Sequence, residues 1–174
     1  FFRGRLLAQF GAVDQVASVW LNGELLGTHE GGYEPFSFDV TEILRAENEI
    51  LVRVRDELSK FVLPYGKQCQ KRGGMWYTPV SGIWQTVWLE SVPENYIKGI
   101  KISTDTKKAK LSFQGITSGK VMLEGSTYKI ENGCCEITPK EPQNWSPENP
   151  YLYYFTAVSG EDRVDSYFAL RELT

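Results

Sequence analysis

Val16-Ala17-Ser18-Val19-Trp20-Leu21-Asn22-Gly23-Glu24-Leu25-Leu26 places two short apolar-rich runs on either side of an asparagine–glycine pair. Asn-Gly provides the two consecutive positive φ angles of a type I′ turn, so the stretch reads as a β-hairpin. Outward from it the same alternation returns in Phe36 to Val40, Ile50 to Arg55 and Ile83 to Glu90. This is the pattern of antiparallel sheets with one wet face. A single helical turn through Glu42, Ile43 and Leu44, capped by Asp39 or Thr41, is expected between the second and third of these runs. In the strand Ile83 to Glu90, alternation assigns Trp84, Thr86 and Trp88 to one face and Ile83, Gln85, Val87 and Leu89 to the other.

The polar, proline-containing stretch Ser91-Val92-Pro93-Glu94-Asn95 interrupts the pattern. A domain boundary is expected there, giving domains 1–94 and 95–174. Beyond it, short runs follow at Ile97 to Ile102, Ala109 to Phe113, Lys120 to Glu124, Thr127 to Ile130, Cys134 to Ile137, Tyr151 to Val158 and Val164 to Arg171, with a second turn signal at Asn132-Gly133. That many short strands in so short a stretch predict an immunoglobulin-like sandwich. The expected fold class is therefore all-β, two β-sandwich domains in sequence.

Composition excludes several functions. Of the 174 residues, 41% are hydrophobic and 24% charged, which argues against disorder. No apolar run approaches the roughly 20 residues of a membrane-spanning helix. A formal net charge of -3 with scattered Lys and Arg offers no basic face for nucleic acid. The three cysteines, Cys69, Cys134 and Cys135, are odd in number and two are adjacent, so neither a disulfide framework nor metal-ligand spacing is expected. The one histidine, His29, lies in the strand-like run Leu25 to Glu30, where an exposed or edge position is expected. No catalytic residue, metal ligand or cofactor is assigned.

From Asp56 to Gly82 the alternation stops, for longer than the roughly 12–15 residues that plain loops reach in compact domains. The segment carries Phe61, Tyr65, Trp76 and Tyr77 among Lys60, Lys67, Lys71 and Arg72. Aromatic rings beside hydrogen-bonding groups suit sugars, because the apolar face of a pyranose packs on a ring while polar groups take its hydroxyls. Trp76, Tyr77, Tyr65, Lys67 and Gln68 are the candidate substrate-binding rim. The alternative is that this segment packs on a neighbouring domain and only shapes the edge of that domain's site. Either way its aromatics are expected to be partly exposed.

Taken together, Phe10-Gly11-Ala12-Val13-Asp14, Val19-Trp20-Leu21-Asn22-Gly23, Gly27 to Tyr33 with Pro35 to Thr41, and Ser81 to Leu89 resemble the sugar-binding jelly-roll domain of glycoside hydrolase family 2, the family of bacterial β-galactosidases, β-glucuronidases and β-mannosidases. Trp145-Ser146-Pro147-Glu148-Asn149-Pro150 with Leu152-Tyr153, and Ser166 to Glu172, resemble its immunoglobulin-like second domain. The resemblance implies a galactose-binding-like jelly-roll, its first strands missing ahead of Phe10, followed by a spacer domain. Trp145 is expected as a core anchor of the spacer, and Tyr151, Tyr153 and Phe155 as its interdomain packing. It also implies that the two catalytic glutamates lie on a TIM barrel beyond Thr174, making that barrel the partner and a β-glycoside the carbohydrate bound. Oligomer formation is compatible with it. The compartment stays open among bacterial cytoplasm, periplasm and secretion. Asn48-Glu49, the lone Asn-Glu pair, matches the family's acid/base dipeptide in letters alone and reads as a solvated strand entrance. Where some β-galactosidases carry an acidic residue just ahead of the tryptophan matching Trp76, Gly73-Gly74 precede Met75 here, which departs from a galactose-specific or cation-assisted contact. The competing readings are a free-standing carbohydrate-binding module or lectin, and an immunoglobulin-like adhesin piece.

Overall fold

The computed structural model describes residues 4–58 and 63–171, and among them every regular element is a β-strand. The chain divides into two compact units, Arg5–Ser91 and the residues from Val92 onward together with Gly4. The first contains β1 (Arg5–Phe10), β2 (Val13–Asp14), β3 (Val16–Leu21), β4 (Glu24–Glu30), β5 (Phe36–Asp39), β6 (Ile50–Arg55), β7 (Gly82–Ile83) and β8 (Val87–Val92). The second contains β9 (Gly99–Thr104), β10 (Ala109–Gln114), β11 (Ser118–Leu123), β12 (Ser126–Glu131), β13 (Cys134–Ile137), β14 (Tyr153–Ser159) and β15 (Asp162–Phe168).

In the first unit, sheets ordered β5-β1-β8 and β4-β3-β6 enclose a core of Phe10, Val13, Ala17, Val19, Leu21 and Val40, and β2 pairs with β7. Phe10 is fully buried and stacks on Phe36 at 4.8 Å. His29 lies on the outer strand β4, half-buried, and stacks on the other side of Phe36 at 4.3 Å. The Asn-Gly hairpin joins β3 to β4, with φ of 52° at Asn22 and 86° at Gly23. Asn22 does more than turn the chain. Its Nδ2 donates to the Ile43 carbonyl and to Asn48 Oδ1, and its Oδ1 accepts from the Glu49 amide. Asn48 and Glu49 are thus tied to a turn, and Glu49 is exposed.

In place of the helical turn expected through Glu42, Ile43 and Leu44 stands a single hydrogen-bonded turn over residues 41–43, closed by the Ile43 amide donating to the Val40 carbonyl, with Asp39 Oδ1 accepting from both the amide and the hydroxyl of Thr41. The continuous strand from Ile83 to Glu90 is broken over Trp84 to Thr86, so its alternation does not run through. Gly11 and Ala12 approach the break, with the Gly11 amide donating to Thr86 at 2.8 Å and a Cβ on Gly11 placed 2.8 Å from Gln85 Cβ. Past the break, β8 is bonded to β1 alone among the described residues, and Val87, Trp88 and Leu89 are all exposed.

The second unit has strand order β15-β14-β11-β12-β13-β10-β9. The β12–β13 hairpin pairs at Glu131 and Cys134, around Asn132 (φ 51°) and Gly133 (φ 72°). There the ladder folds over, and side chains of β9, β10 and β13 meet those of β11, β12 and β14 in one core built on Leu111, Ile137, Val121, Tyr153 and Leu170. Tyr153 and Phe155 are therefore core residues of this unit and not interdomain contacts, since alternation along β14 turns both inward. Trp145 is half-buried at the edge, under the Arg171 guanidinium, and does not anchor the core. Burial pushes the Cys135 thiol up to about 11, and the three cysteines carry free thiols.

The two cores share no residue. Phe10→Ala should cost about 3–5 kcal/mol and Leu111→Ala about 2–5 kcal/mol, each in its own core. Denaturant titration followed by tryptophan fluorescence, with Trp20, Trp84 and Trp88 reporting on the first unit and Trp145 on the second, checks this.

Candidate functional site

The segment after β6 returns to the first unit through polar anchors. Asp56 accepts from the Leu58 amide and from the Ser81 hydroxyl, closing the neck of the segment. Gln68 is 8% exposed. Its Nε2 donates to Asp14 Oδ2 at 3.1 Å, and its Oε1 accepts from the Val80 amide at 2.8 Å. A buried amide satisfied on both ends fixes the backbone around it. The Tyr77 amide donates to the Lys67 carbonyl at 2.7 Å, and Gln68 bridges to Tyr77, so the two arms of the segment lie side by side. Between them a tight turn closes through the Trp76 amide and the Gly73 carbonyl.

These anchors frame an open cleft of about 470 Å³ lined by Asp14, Tyr33, Tyr65, Gly66, Lys67, Gln68, Tyr77, Thr78 and the chain from Val80 to Trp84. Four of the five rim candidates, Tyr65, Lys67, Gln68 and Tyr77, come together here. Trp76 does not line it and stands 43% exposed beside the turn. Tyr77 is 66% exposed. Gln68 also holds the wall in place, a role that its surface-type side chain did not suggest. Lys60 and Phe61 lie outside the described residues.

Three lining residues were not singled out from sequence. Trp84 Nε1 donates to the Gly32 carbonyl at 2.7 Å, and the ring meets Tyr33 edge to face at 5.8 Å. Asp14 forms the floor. It is 8% exposed, and its Oδ1 has no hydrogen-bond partner among the described residues. Gly32 leaves it room, since a Cβ there would sit 2.5 Å from Oδ1. The available signal was Asp14-Gln15 inside an otherwise apolar stretch from Ala12 to Ala17, where a polar pair is expensive to bury. Burial raises the Asp14 carboxyl above its ordinary 3.8; Gln68 pulls it down, and the nearby Asp56 carboxylate adds to the rise. No group of three or more His, Cys, Asp or Glu side chains able to hold a metal occurs among the described residues.

Residues 3–75 match the glycosyl hydrolase 2 galactose-binding domain-like model, and residues 89–171 match glycosyl hydrolases family 2. The chain is similar to a β-galactosidase of Thermoanaerobacter pseudethanolicus, 28% identical over 94% of this chain and 25% of that protein. It is 31% identical to a β-galactosidase of Clostridium acetobutylicum, over 83% of this chain and 17% of that one. Among solved structures, a β-glucuronidase of Faecalibacterium prausnitzii superposes with a TM-score of 0.70 at 25% identity, covering 99% of this chain and 36% of that one. The chain thus spans about a quarter or less of the curated relatives it matches.

Because the folded chain holds the Asp14 proton more tightly than the unfolded chain does, the stability this group contributes is complete below 3.8 and is lost as pH rises through the raised value. Asp14→Asn cannot ionise. Its stability relative to the unsubstituted chain should therefore climb with pH across that window and then level off, as read by urea midpoints from pH 3 upward.

Proposed function

The chain belongs to glycosyl hydrolases family 2, and from that premise we propose that it is the non-catalytic accessory region of a retaining, β-galactosidase-like enzyme that removes terminal β-glycosides. In this reading the first unit supplies an aromatic rim to the active site of a barrel carried elsewhere in the enzyme, and the second unit is a spacer. The observation that carries it is the gathering of Tyr65, Lys67 and Tyr77, with Tyr33 and Trp84, around one cleft walled by the segment after β6. Rings of this kind favour a pyranose face, and a cleft of this size sits within the roughly 300–1,000 Å³ of small-ligand sites.

Retaining hydrolysis needs two carboxyl groups about 5–5.5 Å apart, one to protonate the leaving oxygen and one to attack the anomeric carbon. Asp14 and Asp56 do not have the character of such a pair. Asp14 is held by Gln68 on the floor, while Asp56 is spent on the Leu58 amide and the Ser81 hydroxyl. The catalytic carboxylates accordingly belong to the barrel. The carbohydrate partner is engaged by the complete enzyme.

The 174-residue chain should leave nitrophenyl β-galactoside, β-glucuronide and β-mannoside uncleaved, and turnover abolished by replacing one of its carboxylates would overturn the reading. In the enzyme that contains the chain, Tyr77→Ala should raise KM several-fold with kcat close to unchanged, consistent with about 0.5–1.5 kcal/mol for one ring contact. Steady-state kinetics on an aryl β-glycoside decide this, and an unmoved KM would remove Tyr77 from the rim.

A further inference from the structure

Lys120, Lys129 and Arg163 are scattered along the sequence, yet the sheet of the second unit brings them together. Register sets Lys120 opposite Lys129 on one side and Val158 on the other, and Val158 opposite Arg163. The four form one line across β12, β11, β14 and β15. Their chain neighbours Ile130, Val121, Ala157 and Val164 pack in the core, so alternation turns the line outward. All three cations are exposed, and neither lysine has an ion-pair partner among the described residues. Like charges directly opposite each other weaken a sheet, so the Lys120–Lys129 pair works against the fold that carries it.

The rest of this face narrows what would relieve that repulsion. Two residues along the strands lie Met122, Thr156 and Asp165, and two further Tyr154 stands opposite Tyr167 with ring centroids 5.8 Å apart. Both rings are exposed, and with Met122, Thr156, Arg163 and Asp165 they line a shallow groove of about 480 Å³. Arg163 reaches Asp165 through Nη2 alone, at 3.3 and 3.4 Å, which leaves the rest of its fork to another planar carboxylate. Exposed rings take the C–H face of a pyranose.

We propose that this outer face of the second unit binds an anionic polysaccharide of uronic-acid units, its sugar rings on Tyr154 and Tyr167 and its carboxylates on Arg163, Lys120 and Lys129. The inference gives a ligand to the unit read above as a spacer and does not depend on the cleft of the first unit. Protein interfaces are depleted of lysine and of charge at their centres, whereas here the cations cross the middle of the face. A nucleic acid would lay closely spaced phosphates over Asp165 and Glu131, which alternation places on this same face. A uronate chain carries one charge per ring. Three cations spread over about 14 Å, at the roughly 4.8 Å between neighbouring strands, suit that sparser density.

The test uses the 174-residue chain with polygalacturonate, read by affinity electrophoresis and calorimetry. Methyl-esterified polygalacturonate supplies the rings without the charges, polyglutamate the carboxylates without the rings, and oligothymidylate a nucleic acid. Polygalacturonate should bind, less tightly as salt is raised, and about tenfold or more tightly than each of the other three. Lys120→Gln with Lys129→Gln should weaken it several-fold while holding or raising the urea midpoint, since a like-charge pair is removed. Tyr167→Ala, at an exposed position, should also weaken it several-fold. Lys101→Gln with Lys110→Gln makes the same change of net charge on β9 and β10 and should leave binding unmoved. The proposal is overturned if polygalacturonate does not bind the folded chain, or if the ester, polyglutamate or the oligonucleotide binds as tightly. It is equally overturned if the Lys101 and Lys110 pair weakens binding as much as the Lys120 and Lys129 pair, or if Tyr167→Ala leaves binding unmoved.

Discussion

Everything that makes the first unit more than a sandwich hangs on the side chain of Gln68. Its Nε2 donates to the Asp14 carboxylate and its Oε1 accepts from the Val80 amide, so a segment without strand alternation is pinned at its middle to β2 and at its far arm to itself. Such a segment has little apolar surface of its own to bury, and the ordering cost of its backbone must be offset by a few well-placed bonds. That amide joins the backbone bond from Tyr77 to the Lys67 carbonyl in keeping Tyr65 and Tyr77 around one space. The cleft is therefore a property of polar geometry laid over an apolar scaffold.

Local signals carried most of the scaffold. Asn22-Gly23 and Asn132-Gly133 each demand positive φ at two successive residues, and both sit at that turn in the structure. The strands of the second unit announce themselves by alternation because each packs one face on a shared core. What escaped notice depends on partners far along the chain. Trp84 to Thr86 read as strand by period, yet the strand yields there to hydrogen bonds from Gly11 and toward Ala12 and Gly32. Gln68 and Asp14 are separated by more than fifty positions, and neither residue type signals burial. A polar side chain becomes buried through its partner, and the partner is invisible to a local window.

The aromatic positions illustrate the same limit from the other side. Tyr153 and Phe155 looked like packing for a neighbouring domain and proved to be the heart of their own, whereas Tyr77 and Trp76 stay open to water. Ring count alone does not separate the two fates. Register does, because residues of β14 inherit an inward or outward direction from the ladder, and residues of the pinned segment inherit theirs from the anchors.

The sheet β5-β1-β8 leaves one strand with a further consequence. Among the described residues the outer backbone of β8 has no ladder partner, and Val87, Trp88 and Leu89 are open to water. Lysine and proline, which commonly blunt such borders, are missing from Val87 to Val92, and Glu90, the single charge there, receives a hydrogen bond from Gln9. A row of vacant amide and carbonyl groups beside an indole is a template for any extended peptide. Exposed apolar borders of this kind dispose a chain to edge-to-edge stacking.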